Sequence, residues 1–86
     1  MIKKIWKYPI EIIDKQLIRM PKGATLLHVG LDPNDIPCIW ALINPDAPLV
    51  DRNIFIHGSG HTVIRFDEGS YVGTFVQGYF VWHVFQ

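Results

Sequence analysis

Residues 71–85 read YVGTFVQGYFVWHVF and contain two short runs of β-branched and aromatic residues separated by a glycine. Such runs, bounded by turn residues, are typical of β-strands. We predict strands over 71–76 and 79–85, with Gln77-Gly78 as the two-residue turn, because glycine is favourable at the second position of a tight hairpin. The segment therefore predicts an antiparallel β-hairpin.

The rest of the chain repeats this pattern, with apolar runs and turn residues alternating at intervals of roughly eight to twelve residues. Helical periodicity is nearly absent, apart from a weak pattern over 10–20. Further strands are predicted at 2–8, 15–20, 25–31, 37–43 and 53–57. The segment 32–37 is predicted as a hairpin loop, and 49–51 as a single helical turn. The sequence therefore predicts an all-β fold, a small antiparallel sandwich or barrel of about six or seven strands.

Length limits how well the chain can cover its own apolar residues. The 86 residues support a single domain, residues 1–86. A chain of this size buries only about 60–65% of the surface that its unfolded form exposes. Runs 37–43 and 79–85 are apolar on both faces, so one sheet face would leave half of these side chains in water. Either a second layer or a second subunit must cover them. We favour the subunit and expect a homo-oligomer.

Composition and charge exclude several classes of protein. No apolar run reaches the roughly 18 residues that a membrane helix needs. Charges at Lys3, Lys4 and Lys7 fall where a signal peptide has its apolar stretch, so we expect a cytoplasmic protein with no membrane partner. Eight basic residues balance eight acidic ones, which argues against nonspecific nucleic-acid binding. The single cysteine, Cys38, excludes an internal disulfide.

The segment 56–62 reads IHGSGHT and is the strongest candidate for a binding site. Two glycines flank a serine and permit a tight turn, in which successive backbone N–H groups can converge on an anion. Two histidines add side-chain donors, so the segment predicts a phosphate-binding loop. The predicted ligand-binding residues of this loop are His57, Gly58, Ser59, Gly60 and His61. The segment lacks the GK[ST] ending of a P-loop, and the alternative is a glycine-rich connection between two strands.

Metal and catalytic chemistry have less support. His57 and His61 are four residues apart, but the glycines between them argue against a helix, and no third ligand is near them in sequence. We expect no metal and no other cofactor. Ser59 lacks the G-x-S-x-G pattern of a nucleophile elbow, and Cys38 lies in an apolar run. We therefore expect no enzymatic activity. The remaining enzyme hypothesis is a phosphoester or nucleotide reaction at the two histidines.

Histidines and tryptophans inside predicted strands have a simpler interpretation. His28 and His83 are predicted to be hydrogen-bonded histidines of the core or of an interface. Trp6, Trp40 and Trp82 fall in separate strands, where core packing is the default role. The alternative is that an aromatic ring on an oligomer cleft stacks on a base.

The series of motifs along the chain resembles a family of small uncharacterised proteins found in tailed phages and prophages. The motifs that carry the resemblance are KKIWKY at 3–8, MPKGA at 20–24, WAL at 40–42, PDAP at 45–48, GSGH at 58–61, GTF at 73–75 and VWHVF at 81–85. The resemblance covers residues 2–85. In that family the glycine loop often has Thr in place of Ser59, which keeps a hydroxyl at this position. The resemblance implies a phage accessory protein made in the cytoplasm of a bacterial host.

That context leads to a functional hypothesis by analogy. Small, oligomeric, β-rich phage proteins often counter host defences, either by binding a defence protein or by sequestering a nucleotide-derived signal. We predict a binding protein that sequesters a small nucleotide-like ligand, with its phosphate on the glycine loop. A base would stack on Trp6 or Trp40, and Arg52 or Arg65 would neutralise charge. The alternative is a protein that inhibits a host protein through its exposed aromatic and edge-strand surface.

Overall fold

The computed structural model describes residues 2–63 and 69–86. Seven β-strands make up the regular structure of these residues, and the predicted all-β fold is confirmed. The strands are β1 (Lys4–Pro9), β2 (Lys15–Pro21), β3 (Thr25–Leu31), β4 (Pro37–Ile43), β5 (Leu49–Gly58), β6 (Tyr71–Gln77) and β7 (Phe80–Phe85). None of the residues described forms a helix long and apolar enough to cross a membrane.

The strands form two antiparallel sheets. One sheet has the order β1-β4-β3 and the other has the order β2-β5-β7-β6. The larger core cluster draws on both sheets and consists of Ile10, Val29, Ile39, Ile54, Ile56, Phe75 and Val84. A second cluster consists of Met20, Ala24, Ala41 and Ile43. The chain itself therefore supplies a second layer for the inner faces, while the homo-oligomer stays a prediction.

The two layers form a thin body. The molecule extends 42 × 31 × 15 Å along its principal axes. The sheets approach each other closely where β6 meets β3, because Gly73 has no side chain. A Cβ at Gly73 would lie 2.9 Å from Val29 Cγ1. This position therefore tolerates no larger residue without movement of the buried Val29 side chain.

The predicted helical turn at 49–51 is wrong, because these residues begin strand β5. Val50 lies opposite Met20 and Asp51 lies opposite Arg19, so the segment continues the ladder between β5 and β2. Pairing with a neighbouring strand satisfies the backbone groups that a helical turn would have left partly unpaired. The strand predicted at 53–57 therefore begins earlier than expected, at Leu49, while the other six predicted strands agree with the structure to within two residues at each end.

The turn of the C-terminal hairpin is displaced by one residue from the prediction. Gln77 pairs with Phe80, so the two turn residues are Gly78 and Tyr79 rather than Gln77 and Gly78. Gly78 has φ +59°. A positive φ at the first central residue alone is the pattern of a type II′ turn, in which glycine takes that first position. Every residue of β7 therefore faces a different partner on β6 from the one that the sequence predicted.

The predicted hairpin loop after β3 is confirmed, and one carboxylate organises it. Asp32 is only 6% exposed. Its Oδ1 accepts hydrogen bonds from Asn34 N at 2.8 Å and Ile36 N at 3.0 Å. Its Oδ2 accepts a hydrogen bond from Lys7 Nζ at 2.9 Å, which ties the loop to β1. These bonds hold the pKa of Asp32 below its ordinary value, with the Lys7 hydrogen bond as the largest cause.

We expect acid to weaken the fold through Asp32. Because folding lowers this pKa, the stabilisation is fully present above the ordinary carboxyl pKa of about 3.9 and is lost as the pH falls through the lower value in the folded state. Asp32→Asn should lower the melting temperature at neutral pH and remove part of the acid dependence. Thermal unfolding followed by circular dichroism from about pH 2 to 7 measures both. The exposed Asp46→Asn is the matched control, and equal profiles for the two variants would contradict the assignment.

Candidate functional site

The Gly58–His61 turn lies at the end of β5. His61 N donates to Gly58 O at 3.0 Å, and Ser59 N donates to Val81 O at 3.0 Å. Of the two central residues of this turn, Gly60 has φ +83° and Ser59 has no positive φ. A positive φ at the second central residue alone is the pattern of a type II turn. Of the backbone N–H groups of Ser59, Gly60 and His61, only that of Gly60 has no acceptor among the described residues. An anion at this turn must therefore be held mainly by side chains.

Hydroxyl and imidazole groups from three strands meet on the outer face of the four-stranded sheet. His57 lies opposite His83, and His83 lies opposite Thr74, so the three side chains share one face. Ser59 Oγ is 2.6 Å from His83 Nε2, and Thr74 Oγ1 is 2.9 Å from His83 Nδ1. Thr74 Oγ1 is also 2.6 Å from the Tyr71 hydroxyl. We refer to Ser59, His83, Thr74 and Tyr71 as the hydroxyl–imidazole chain.

Proton positions along this chain decide what it offers to a ligand. A hydroxyl donates one hydrogen bond, and a neutral imidazole donates from one nitrogen and accepts at the other. A protonated His83 would donate from both nitrogens, towards Ser59 and towards Thr74. The Ser59 hydroxyl hydrogen would then be free to point at an external acceptor. The outer face can therefore present donors to an anion beside two imidazoles.

Aromatic side chains line the other side of the turn. The His61 and Trp82 rings meet edge to face, with centroids 6.2 Å apart. Phe80 stacks on Trp82 at 5.6 Å, and Trp82 Nε1 donates to Gln77 Oε1 at 3.3 Å. A Cβ at Gly58 would lie 2.7 Å from His61 Nδ1, so the absence of a side chain at Gly58 lets the imidazole sit there. A cleft of about 190 Å³ opens at this point, lined by Ile12, Ile13, Asp14, Ile56, Gly58, His61 and Trp82.

The two tryptophans predicted to stack on a base lie in the other sheet. Trp6 is opposite Ala41, whereas Trp40 is opposite Lys7. Since neighbouring residues of a strand point to opposite faces, Trp6 and Trp40 lie on different faces of the three-stranded sheet. Trp40 makes a tilted ring contact with His28 at 5.8 Å. The tryptophan that contacts the glycine turn is Trp82, which the sequence analysis treated as a packing residue.

Of the two arginines predicted to neutralise charge, Arg52 does not join the turn. Arg52 lies on the face of β5 opposite to His57 and is half-buried. Its guanidinium donates to Ala24 O at 2.9 Å and to Gln86 Oε1 at 2.6 Å, which gives it a structural role. Arg65 lies outside the described residues. A different cation lies on the outer face, where Lys15 Nζ is 5.9 Å from the centroid of the Phe55 ring.

Metal ligands and a reactive thiol were also considered at the sequence level. Within residues 2–63 and 69–86, no group of three His, Cys, Asp or Glu side chains is arranged to hold a metal ion. Cys38 is fully buried, and burial raises the pKa of its thiol. A buried cysteine with a raised pKa stays in the unreactive thiol form. This position therefore acts as a small apolar residue of the sheet.

Sequence reasoning identified the turn but missed the side chains that complete the site. Thr74 and Tyr71 were not singled out, and His83 was assigned to the core or an interface. The signal that could have found them is the register of the last hairpin. A Gly-X turn at Gly78 places Thr74 opposite His83 by counting alone. The contact from Ser59 follows from the way the turn continues the ladder of β5 with β7.

The fold and the site define a class: a small antiparallel β-sandwich with a surface hydroxyl–imidazole chain beside an aromatic cleft. The family described as Domain of unknown function (DUF7352) matches residues 1–86, and the chain belongs to this family. No curated protein and no solved structure matches the chain. Membership in an uncharacterised family agrees with the expected resemblance, while the phage context goes further than this match and is taken up as a proposal.

Proposed function

We propose that this protein is a binding protein that sequesters a small nucleotide-like ligand at the Gly58–His61 turn and leaves that ligand chemically unchanged. The observation that carries the proposal is the position of the turn. Polar donors lie on one side of it, and an aromatic-walled cleft lies on the other. A nucleotide matches this arrangement, because its phosphate needs hydrogen-bond donors and its base needs a flat apolar contact.

The phosphate would lie against the outer face of the four-stranded sheet. Ser59 and His57 supply a hydroxyl and an imidazole there, and Gly60 supplies its backbone N–H. Both ring nitrogens of His83 are hydrogen-bonded to Ser59 and Thr74, so His83 acts by orienting the Ser59 hydroxyl. Lys15 on the same face adds a permanent positive charge, which Arg52 does not provide in this structure.

The base would lie in the cleft. Trp82 offers the ring that was assigned in sequence to Trp6 or Trp40, and His61 closes the cleft edge to face with it. Aromatic stacking on a base contributes about 1–3 kcal/mol. The remaining walls are isoleucine side chains and Asp14. The Asp14 carboxylate disfavours a phosphate inside the cleft, and it can accept hydrogen bonds from the N–H groups of a base.

The biological role proposed for this binding is to counter a host defence. The series of sequence motifs resembling tailed-phage and prophage proteins supports a phage accessory protein that acts in the cytoplasm of a bacterial host. Sequestration of a nucleotide-derived immune signal would blunt the defence that depends on it. We also propose that the protein is a homo-oligomer, which the large exposed apolar side chains of the three-stranded sheet, such as Ile5 and Leu27, support.

A second candidate function is inhibition of a host protein by direct binding. The observation in its favour is the exposed apolar tip of the last hairpin. Tyr79 is fully exposed, and Val76 and Phe80 are about 60% exposed beside it. Aromatic residues of this kind are enriched in protein interfaces. This function needs no small ligand, which separates it from the first.

Calorimetric titration with a panel of cyclic and linear nucleotides tests the proposed function. We expect one or more nucleotides to bind. Added salt should weaken binding, because charges at an exposed site are screened. Native mass spectrometry of the protein from defence-active cells would report the retained ligand and the oligomer mass together. Absence of binding by every nucleotide would leave the host-protein function as the better candidate.

A further inference from the structure

Ser59 and His83 have the geometry of a nucleophile and its base. Ser59 Oγ lies 2.6 Å from His83 Nε2, within the distance that proton transfer requires. The second imidazole nitrogen is held by Thr74 Oγ1 at 2.9 Å. We propose that Ser59 is a nucleophile that attacks the carbonyl carbon of small carboxylic esters, with His83 as the base. This reactivity goes beyond the proposed sequestration, which needs no covalent step.

The hydroxyl–imidazole chain sets the proton positions that the reaction needs. When Nδ1–H of His83 donates to Thr74, the lone pair of Nε2 is left to accept the hydroxyl proton of Ser59. Thr74 can donate in turn to the Tyr71 hydroxyl, 2.6 Å away. Thr74 is therefore a positioning residue, which takes the place that a carboxylate has in a serine–histidine–aspartate triad. A hydroxyl orients the imidazole but adds no negative charge, so the expected rate is modest.

The reaction balances with the groups present and water. Ser59 Oγ forms a bond to the ester carbonyl carbon while its proton moves to His83 Nε2. The bond to the alcohol oxygen then breaks, and that oxygen takes the proton from His83, which leaves an acyl-serine and a free alcohol. Water repeats the sequence with His83 as base and releases the carboxylic acid. The N–H of Gly60, which has no acceptor among the described residues, is available to the carbonyl oxygen as it becomes negative.

The substrate class follows from the exposure of the site. Ser59 is exposed at the end of β5, and its partners lie on an open sheet face. An open face admits a small ester from solvent without enclosing it. The open face offers no enclosing contacts to a long or branched acyl group. The proposed substrates are therefore small esters with good leaving groups, whose reaction depends least on binding energy.

The chain offers an internal control for a labelling experiment, because Ser59 and Ser70 are its only two serines. The probe is a fluorophosphonate, whose phosphorus gains the serine oxygen and loses fluoride. Peptide mass spectrometry of the wild-type protein, without any nucleotide present, should find the label on Ser59 and not on Ser70. Labelling of neither serine, or of both at equal rates, would overturn the proposal.

Three variants separate chemistry from folding. His83→Gln should slow labelling of Ser59 at least about a hundredfold, since a general base contributes two to four orders of magnitude. Thr74→Val, which keeps the β-branched shape, should slow it about three- to tenfold, as expected for one lost neutral hydrogen bond. Thr74→Ser restores the hydroxyl and should restore the rate.

Circular dichroism confirms that each variant is folded before its rate is compared. An unchanged labelling rate of Ser59 in folded His83→Gln would show that Ser59 reacts without a base and would contradict the proposal. If His83→Gln does not fold, the labelling rates of Thr74→Val and Thr74→Ser are compared instead. Equal rates for these two variants would overturn the proposal. Nucleotide binding is measured separately by titration. Absence of Ser59 labelling would therefore leave the proposed sequestration unaffected, and absence of nucleotide binding would leave the proposed ester reaction unaffected.

Discussion

Replacing Ile54 with alanine is expected to lower the free energy of unfolding by about 2–5 kcal/mol. Ile54 is fully buried in β5 and belongs to the cluster that contains Val29, Ile39 and Val84 from neighbouring strands of both sheets. Removing its outer carbons loses their burial and leaves a cavity that rigid strands cannot close. A domain of 86 residues has a total stability of only about 4–13 kcal/mol at the usual 0.05–0.15 kcal/mol per residue. The loss is therefore a large share of the total.

Urea unfolding followed by tryptophan fluorescence measures this effect. The matched control is Leu17→Ala, because Leu17 lies on the neighbouring strand β2 of the same sheet and is 60% exposed. We expect that control to change the free energy of unfolding by no more than about 0.5 kcal/mol. If Ile54→Ala and Leu17→Ala lose equal free energy of unfolding, the outer face of the sheet is covered in solution to the same extent as the inner face. That result would contradict the exposed outer face on which the site depends and support an oligomer interface there.

Replacing His61 with alanine is expected to weaken nucleotide binding about ten- to a hundredfold. His61 packs edge to face against Trp82 and lies over Gly58, so its loss removes one wall of the cleft. It also removes a donor that can make a charge-assisted hydrogen bond, worth about 1.5–3 kcal/mol. The matched control is His28→Ala, which removes an imidazole from the three-stranded sheet. Calorimetric titration should show wild-type affinity for this control.

A second variant of the turn tests the backbone rather than the side chain. Gly60 has φ +83°, and a β-branched residue strongly disfavours that region. Gly60→Val should therefore distort the turn and reduce binding further than His61→Ala does. A Cβ at Gly60 would meet no atom within 4 Å, so the effect arises from strain and not from a clash. If folded Gly60→Val and His61→Ala both bind like the wild type, the segment is only a connection between strands.

Most of the fold could be predicted because apolar runs and turn residues alternate so regularly along the chain. The start of β5 could not, since the charged residues Asp51 and Arg52 precede the predicted strand at 53–57 and made that segment look unlike a strand. The structure accommodates both: Asp51 is exposed, and the Arg52 guanidinium is bonded to Ala24 O and Gln86. A half-buried cation is tolerated when its donors have acceptors, and the acceptors of Arg52 come from parts of the chain far away in sequence. No local sequence pattern therefore indicates these acceptors.

The candidate site was only partly predictable for a related reason. Placing the turn at Gln77-Gly78 would have put His83 opposite Val72, and the observed turn puts it opposite Thr74. A shift of one residue in a hairpin changes every facing pair, so the error hid the hydroxyl–imidazole chain. The placement of Trp82 next to the glycine turn depends on the pairing of β5 with β7, which skips β6 in sequence order. Such a crossover cannot be derived from the spacing of residues.

The thin shape of the molecule determines how it could act in a cell. Packed sheets lie about 10 Å apart, so a body whose smallest extent is 15 Å has room for one layer of core side chains and none for an enclosed ligand. A ligand on an open face leaves as fast as its contacts allow, because nothing has to open before it dissociates. A sequestering protein of this build therefore depends on copy number. Its chains must outnumber the signal molecules, and their concentration must exceed the dissociation constant, for as long as the signal is produced.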